Sequence, residues 1–146
     1  MKVQFTLNRK SVSTTVTPGE TLLEYLRKNE IYSVKYGCDH GECGACTVLI
    51  DGIAYNACLM LIHTINGRNI ETIESLAIKD DLHSVQKAFI EHGAIQCGYC
   101  TPGMILSAEA LLRENPDPTE SEIRDTMAGN LCRCTGYVKP VEALKK

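Results

Sequence analysis

Eight cysteines in a chain of 146 residues constrain the fold more than any other feature. They form two sets, Cys38, Cys43, Cys46 and Cys58 in the first half and Cys97, Cys100, Cys132 and Cys134 in the second. Secreted domains use cysteine at this density for disulfides. Here, however, Met1 to Asn8 alternates apolar and polar residues and lacks the continuous apolar stretch of a secretion signal. No window approaches the roughly 18 to 20 apolar residues that a membrane span needs. The expected location is the cytoplasm, where thiols stay reduced and metal binding is the use left for them. A net charge of −3 without any basic cluster argues against a nucleic-acid partner.

The first set reads C-x4-C-x2-C with a fourth cysteine after eleven intervening residues, the spacing of a plant-type 2Fe-2S site. Four thiolates around two irons leave a negative charge that grows on reduction, and backbone N–H groups of a loop are the nearest means of stabilising it. Gly37, Gly41 and Gly44 punctuate that loop, and glycine lets successive N–H groups turn toward the sulfurs. A tetrahedral zinc site is the alternative, though zinc favours paired short knuckles over three cysteines crowded into one loop. His40 lies within the loop, but a Rieske-type centre needs two histidines, so His40 is expected to face solvent. In the second set C-x2-C pairs with C-x-C after thirty-one intervening residues, which by spacing alone also suits zinc or a redox dithiol. Cys100 precedes the helix start Thr101-Pro102, whose partial positive charge suits an anionic centre. Arg133, between two of the cysteines, can offset the same charge or be an ordinary surface arginine.

Around these sets the pattern predicts an α+β chain. Val3, Phe5 and Leu7, then Val12, Thr14 and Val16, alternate as a hairpin. Thr21 and Glu24 form a capping box for a helix bearing Leu22, Leu23 and Leu26. A strand is expected over Thr47 to Ile50, with Asp51-Gly52 turning it into a return strand that reaches Leu59 and carries Cys58. Asn69 to Ile73 supplies one more strand. After residue 76 helix signals take over: His83 to His92 stopped by Gly93, then a helix capped by Thr101 with Pro102 first and Asn115-Pro116 closing it. Thr119 and Glu122 cap another helix running to Ala128, and Pro140 opens a short last one. Residues 1–76 therefore read as a small sheet domain and 77–146 as a helical bundle.

Three stretches carry a family resemblance: Gly37-Cys38-x-x-Gly41-x-Cys43-Gly44-Ala45-Cys46-Thr47-Val48, Gln96-Cys97-Gly98-Tyr99-Cys100-Thr101-Pro102-Gly103 and Gly129-Asn130-Leu131-Cys132-Arg133-Cys134-Thr135-Gly136-Tyr137. With them the whole chain resembles the iron–sulfur subunit of the xanthine dehydrogenase and aldehyde oxidase family, the molybdenum hydroxylases. The resemblance implies a plant-ferredoxin-like (β-grasp) domain over 1–76, followed by an all-α, four-helix-bundle-like 2Fe-2S domain over 77–146. It implies one 2Fe-2S cluster on Cys38, Cys43, Cys46 and Cys58 and a second on Cys97, Cys100, Cys132 and Cys134. It further implies a large partner with a molybdenum-pterin cofactor and a medium partner with FAD, assembled as a dimer of heterotrimers. The second cluster would lie on the molybdenum side and the first on the flavin side, with Gln96 and Cys134 approaching the pterin. Relatives often extend the last helix beyond the Tyr137 region, and it is expected to be abbreviated here. The rival reading is a free-standing two-cluster ferredoxin, which would be expected to carry an acidic docking face; a charge of −3 spread along the chain offers little of one.

Overall fold

The structure is a computed structural model that describes residues 1–145; Lys146, the last residue of the expected second domain, lies outside them. Strands β1 (Lys2–Leu7) and β2 (Lys10–Thr15) pair antiparallel through a tight turn. The turn is shorter than the polar run suggests, because Asn8 and Arg9 both take left-handed backbone (φ 48° and 68°), which matches the twist of the strands. Asn8 then locks the turn to the chain beyond the sheet, exchanging two hydrogen bonds of 2.8 Å with Thr72. Helix α1 (Leu22–Lys28) starts at the expected capping box, and β3 (Thr47–Ile50) and β4 (Ile53–Asn56) flank the Asp51-Gly52 turn. Strand β5 (Asn69–Glu71) completes a five-stranded mixed sheet of order β2-β1-β5-β3-β4, in which β1 and β5 run parallel and every other pair is antiparallel.

Strand β3 explains why the helices sit where they do. It reads Thr-Val-Leu-Ile and is buried at every position, as a strand covered on both faces must be. Val48 and Ile50 join a core with Phe5, Leu22, Leu26 and Ile70, whereas Leu49 points the other way into a core with Phe89, Met104, Leu106 and Ile123. That second core belongs to α2 (Ser84–Glu91), α3 (Thr101–Glu114), α4 (Glu120–Ala128) and α5 (Val138–Leu144). Helix α3 packs on β3, β4 and α4, while α2 and α4 both pack on α5. An ion-pair strap closes the same boundary: Arg113 of α3 grips Glu71 of β5 with two hydrogen bonds of 2.9 and 3.0 Å and also bonds Glu109 at 2.8 Å. The guanidinium beside Glu71 holds that carboxyl below its ordinary range.

Five local expectations shift. Strand β4 ends at Asn56, and Ala57–Leu59 is a 3-10 turn, so Cys58 leaves the sheet at its end instead of lying in it. Strand β5 likewise stops at Glu71, before a 3-10 turn over Ile73–Ser75. Helix α2 begins at Ser84, with His83 outside as its cap: the imidazole Nδ1 accepts from the Val85 N–H at 3.4 Å, and Gln86 reaches back to the His83 N–H at 2.9 Å. Helix α3 begins one residue early, with Thr101 already helical and Cys100 itself in the capping position. Helix α5 begins two residues before Pro140, which is tolerated because the first turn of a helix has no N–H partners to lose.

Candidate metal centres

The loop between α1 and β3 is built around one sulfur. Cys38 Sγ accepts backbone N–H groups from His40 at 3.4 Å and from Glu42 and Cys43 at 3.3 Å each, and Cys43 Sγ accepts from Ala45 at 3.4 Å. Those backbone bonds from His40, Cys43 and Glu42 pull the Cys38 thiol down to about 7. The loop has a second requirement at Gly37, where a Cβ would lie 2.3 Å from Cys43 Sγ; here glycine provides room for a sulfur. The 3-10 turn brings Cys58 back beside Cys46. Two main features close the arrangement, the Ala57 N–H donating to the Cys46 carbonyl at 3.2 Å and the Asn56 amide donating to the Gly41 carbonyl at 2.8 Å. Cys46 and Cys58 are buried, and burial pushes the Cys46 thiol up to about 12. His40 is exposed, as expected of a loop histidine that is not a ligand.

The second set assembles at the N-terminal end of α3. Cys100 is buried, and burial together with a hydrogen bond to Cys132 pushes its thiol up to about 12. Cys97 and Cys134 are exposed free thiols, and the Tyr99 N–H, with a further hydrogen bond from the Cys134 side, lowers the Cys97 thiol. Burial would raise the Cys132 thiol, but bonds from the Thr135 hydroxyl and N–H outweigh it and lower it; the two oxygen and sulfur atoms lie 3.1 Å apart. Tyr137, in left-handed backbone at φ 65°, accepts the Cys132 N–H on its phenol oxygen at 3.0 Å and so fixes the turn that carries Cys132 and Cys134. Arg133 and Gln96 are both exposed. Thr135, Tyr137 and Asn56 were not singled out as site residues from sequence; Thr135 and Tyr137 lie inside the third motif, and Asn56 next to the Cys58 turn.

Both sets therefore come together: Cys38 and Cys43, and Cys46 with both Cys58 and Cys43, interact in the first, and Cys97 with Cys134 and Cys132, and Cys100 with Cys132 and Cys97, in the second. Among the described residues no group of three or more His, Cys, Asp or Glu is placed to hold a single metal ion. Four thiols gathered in each set are the ligand number a two-iron cluster needs, each iron taking two thiolates. The donor chemistry fits as well, since sulfurs ringed by N–H donors suit an anionic cluster.

Comparison with known proteins agrees with this geometry. Residues 5–71 match the model of a 2Fe-2S iron-sulfur cluster binding domain, and residues 72–145 that of a [2Fe-2S] binding domain. The chain is 49% identical to the nicotinate dehydrogenase small FeS subunit of Eubacterium barkeri over 94% of its own length and 88% of the relative's. It is 48% identical to the xanthine dehydrogenase iron-sulfur-binding subunit of Escherichia coli O157:H7, over 92% of this chain and 86% of that one. The chain belongs to the iron–sulfur subunits of the xanthine dehydrogenase and aldehyde oxidase family. The crystal structure of quinoline 2-oxidoreductase from Pseudomonas putida 86 contains a chain of the same fold, with a TM-score of 0.96 at 41% identity, covering all of this chain and 91% of that one. In this chain each of the two cysteine sets falls within one of the matched domains.

Proposed function

We propose that this iron–sulfur subunit binds one 2Fe-2S cluster on Cys38, Cys43, Cys46 and Cys58 and a second on Cys97, Cys100, Cys132 and Cys134. When bound, each cluster takes up and releases one electron, so that the chain relays electrons from a molybdenum-pterin centre to FAD, both held by partner subunits. The chain has no substrate site of its own. The observation that carries this reading is the gathering of four thiols at the edge of each of two adjoining cores, with the segments that bear them joined by the Leu131 N–H to Cys43 carbonyl bond. The exposure of Cys97, Cys134 and Gln96 supports placing the second set on the molybdenum side, with Gln96 and Cys134 as the residues that would meet the pterin. The other set then serves the flavin side. The sheet domain over 1–76 is ferredoxin-like (β-grasp) and the four helices over 77–146 form a separate bundle-like cluster domain. The assembly is a dimer of heterotrimers in the cytoplasm, and no helix among the described residues is long and apolar enough to cross a membrane.

Each protein group has a task in this scheme. The N–H groups of His40, Glu42 and Cys43 hold charge on Cys38, Thr135 does the same for Cys132, and the buried Cys46 and Cys100 keep water from one side of each site. The test is to purify the assembled enzyme with Cys132→Ser in this chain. Substrate-dependent flavin reduction is expected to stop while the large subunit still binds substrate. Flavin reduction at the parent rate would refute the relay, and isolation of the parent chain as a free monomer active in electron transfer would favour the independent ferredoxin.

A further inference from the structure

Three stretches that each carry cysteines of the two sites converge on one buried amide. Asn130, 2% exposed, donates through Nδ2 to the Gly44 carbonyl at 3.0 Å and to Thr47 Oγ1 at 3.2 Å. Its Oδ1 accepts from the Ser107 hydroxyl at 2.7 Å. The Gly44 carbonyl cannot donate, so the orientation of the amide is settled, and both its donors and its acceptor are in use. A side chain two residues before Cys132 is thus bonded to the loop of Cys43 and Cys46 and to the helix that follows Cys100.

The main chain tightens the same junction. The Leu131 N–H donates to the Cys43 carbonyl at 2.8 Å, and Leu131 is bonded directly to Cys132. The approach leaves no space for side chains: a Cβ on Gly44 would lie 2.3 Å from the Gly129 carbonyl oxygen and 2.6 Å from Asn130 Nδ2, and one on Gly103 would lie 2.5 Å from the Gly44 carbonyl oxygen. A second contact across the boundary, from the Tyr99 hydroxyl to the Tyr36 carbonyl, lies beside Cys97 and Cys38 but is exposed. Asn130 is the buried member of this junction.

We propose that Asn130 is the positioning residue that holds the two cysteine sets in one fixed relation to each other. Electron tunnelling decays steeply with separation, so a relay whose two stations sit on different cores needs a rigid element between them. A buried amide with both donors and its acceptor engaged is such an element, since moving either core leaves a desolvated polar group unpaired. The inference rests on the cluster assignment above.

Asn130→Asp tests it with little change of shape, because it turns the donor facing the Gly44 carbonyl into an acceptor. In the full chain loaded with both clusters, iron and sulfide content is expected to match the parent. The magnetic interaction between the two reduced centres, sharply defined in the parent, is expected to weaken or spread. Ile123→Val, a core change that does not touch the junction, controls for general destabilisation and should leave the interaction as it was. An unchanged interaction in Asn130→Asp overturns the proposal, and so does a parent that shows no interaction. A parent without iron and sulfide would instead overturn the cluster assignment. Hydrogen exchange needs no cluster and no stable variant. The Leu131 side of the junction is exposed, with Leu131 itself 59% accessible, yet its amide is expected to exchange only on global unfolding. Rapid exchange of that amide in the parent overturns the proposal even if Asn130→Asp does not fold.

Discussion

Replacing Cys43 with serine is expected to abolish one of two paramagnetic signals of the reduced protein and to leave the other. Cys43 pairs with Cys38 and has no partner in the second set, which assembles around Cys100 in the helical core. The junction between the sites uses the Cys43 carbonyl, not its sulfur, and so survives the substitution. The two cysteine sets sit in different hydrogen-bond settings, three N–H groups on Cys38 against a hydroxyl and one N–H on Cys132, so their signals should be distinguishable. Electron paramagnetic resonance of the dithionite-reduced variant makes the check. Loss of both signals would mean that the two cores do not fold independently.

The second large effect is expected at Gly44. Its backbone is left-handed at φ 71°, and a Cβ there would collide with main-chain atoms of the opposite domain. Gly44→Ala therefore combines backbone strain with overpacking against a backbone that cannot yield, and a loss of about 2 to 5 kcal/mol is expected from those two costs. Gly67 isolates the strain. It has a similar φ of 77°, with nothing within 4 Å of the position a Cβ would take, and Gly67→Ala should cost only about 1 kcal/mol. Denaturant unfolding of the two variants beside the parent measures both. Equal losses would mean that the close approach at Gly44 is unimportant.

Local chemistry made much of this molecule legible before its structure was known. Thr21 with Glu24 and Thr119 with Glu122 start helices where the capping pattern says they should, because a cap acts within four residues. The strand expected over Thr47 to Ile50 forms with those bounds, the Asp51-Gly52 turn fixing where it ends. Element ends were less legible. The β4 strand stops at Asn56 because that side chain turns to the Gly41 carbonyl, fifteen residues away, and no strand propensity reports on such a bond. The start of α3 at Thr101 depends on Cys100 taking helical backbone at φ −79°, which the neighbouring proline alone does not dictate.

The site shows the same division. The cysteine sets and most of the bonds onto their sulfurs lie within a few residues of one another, while the bonds that join one set to the other are distant. Asn130 stands in a recognisable motif, but its partners are Gly44 and Thr47, 86 and 83 residues away, and only folding reveals them. The parallel pairing of β1 with β5 is hidden for the same reason, since the paired residues, Thr6 with Asn69 and Leu7 with Ile70, are 63 positions apart.

Iron and acid-labile sulfide analysis of the purified chain tests the central claim most directly. About four iron and four sulfide per chain are expected for two 2Fe-2S clusters; zinc without sulfide would contradict the assignment of both cysteine sets.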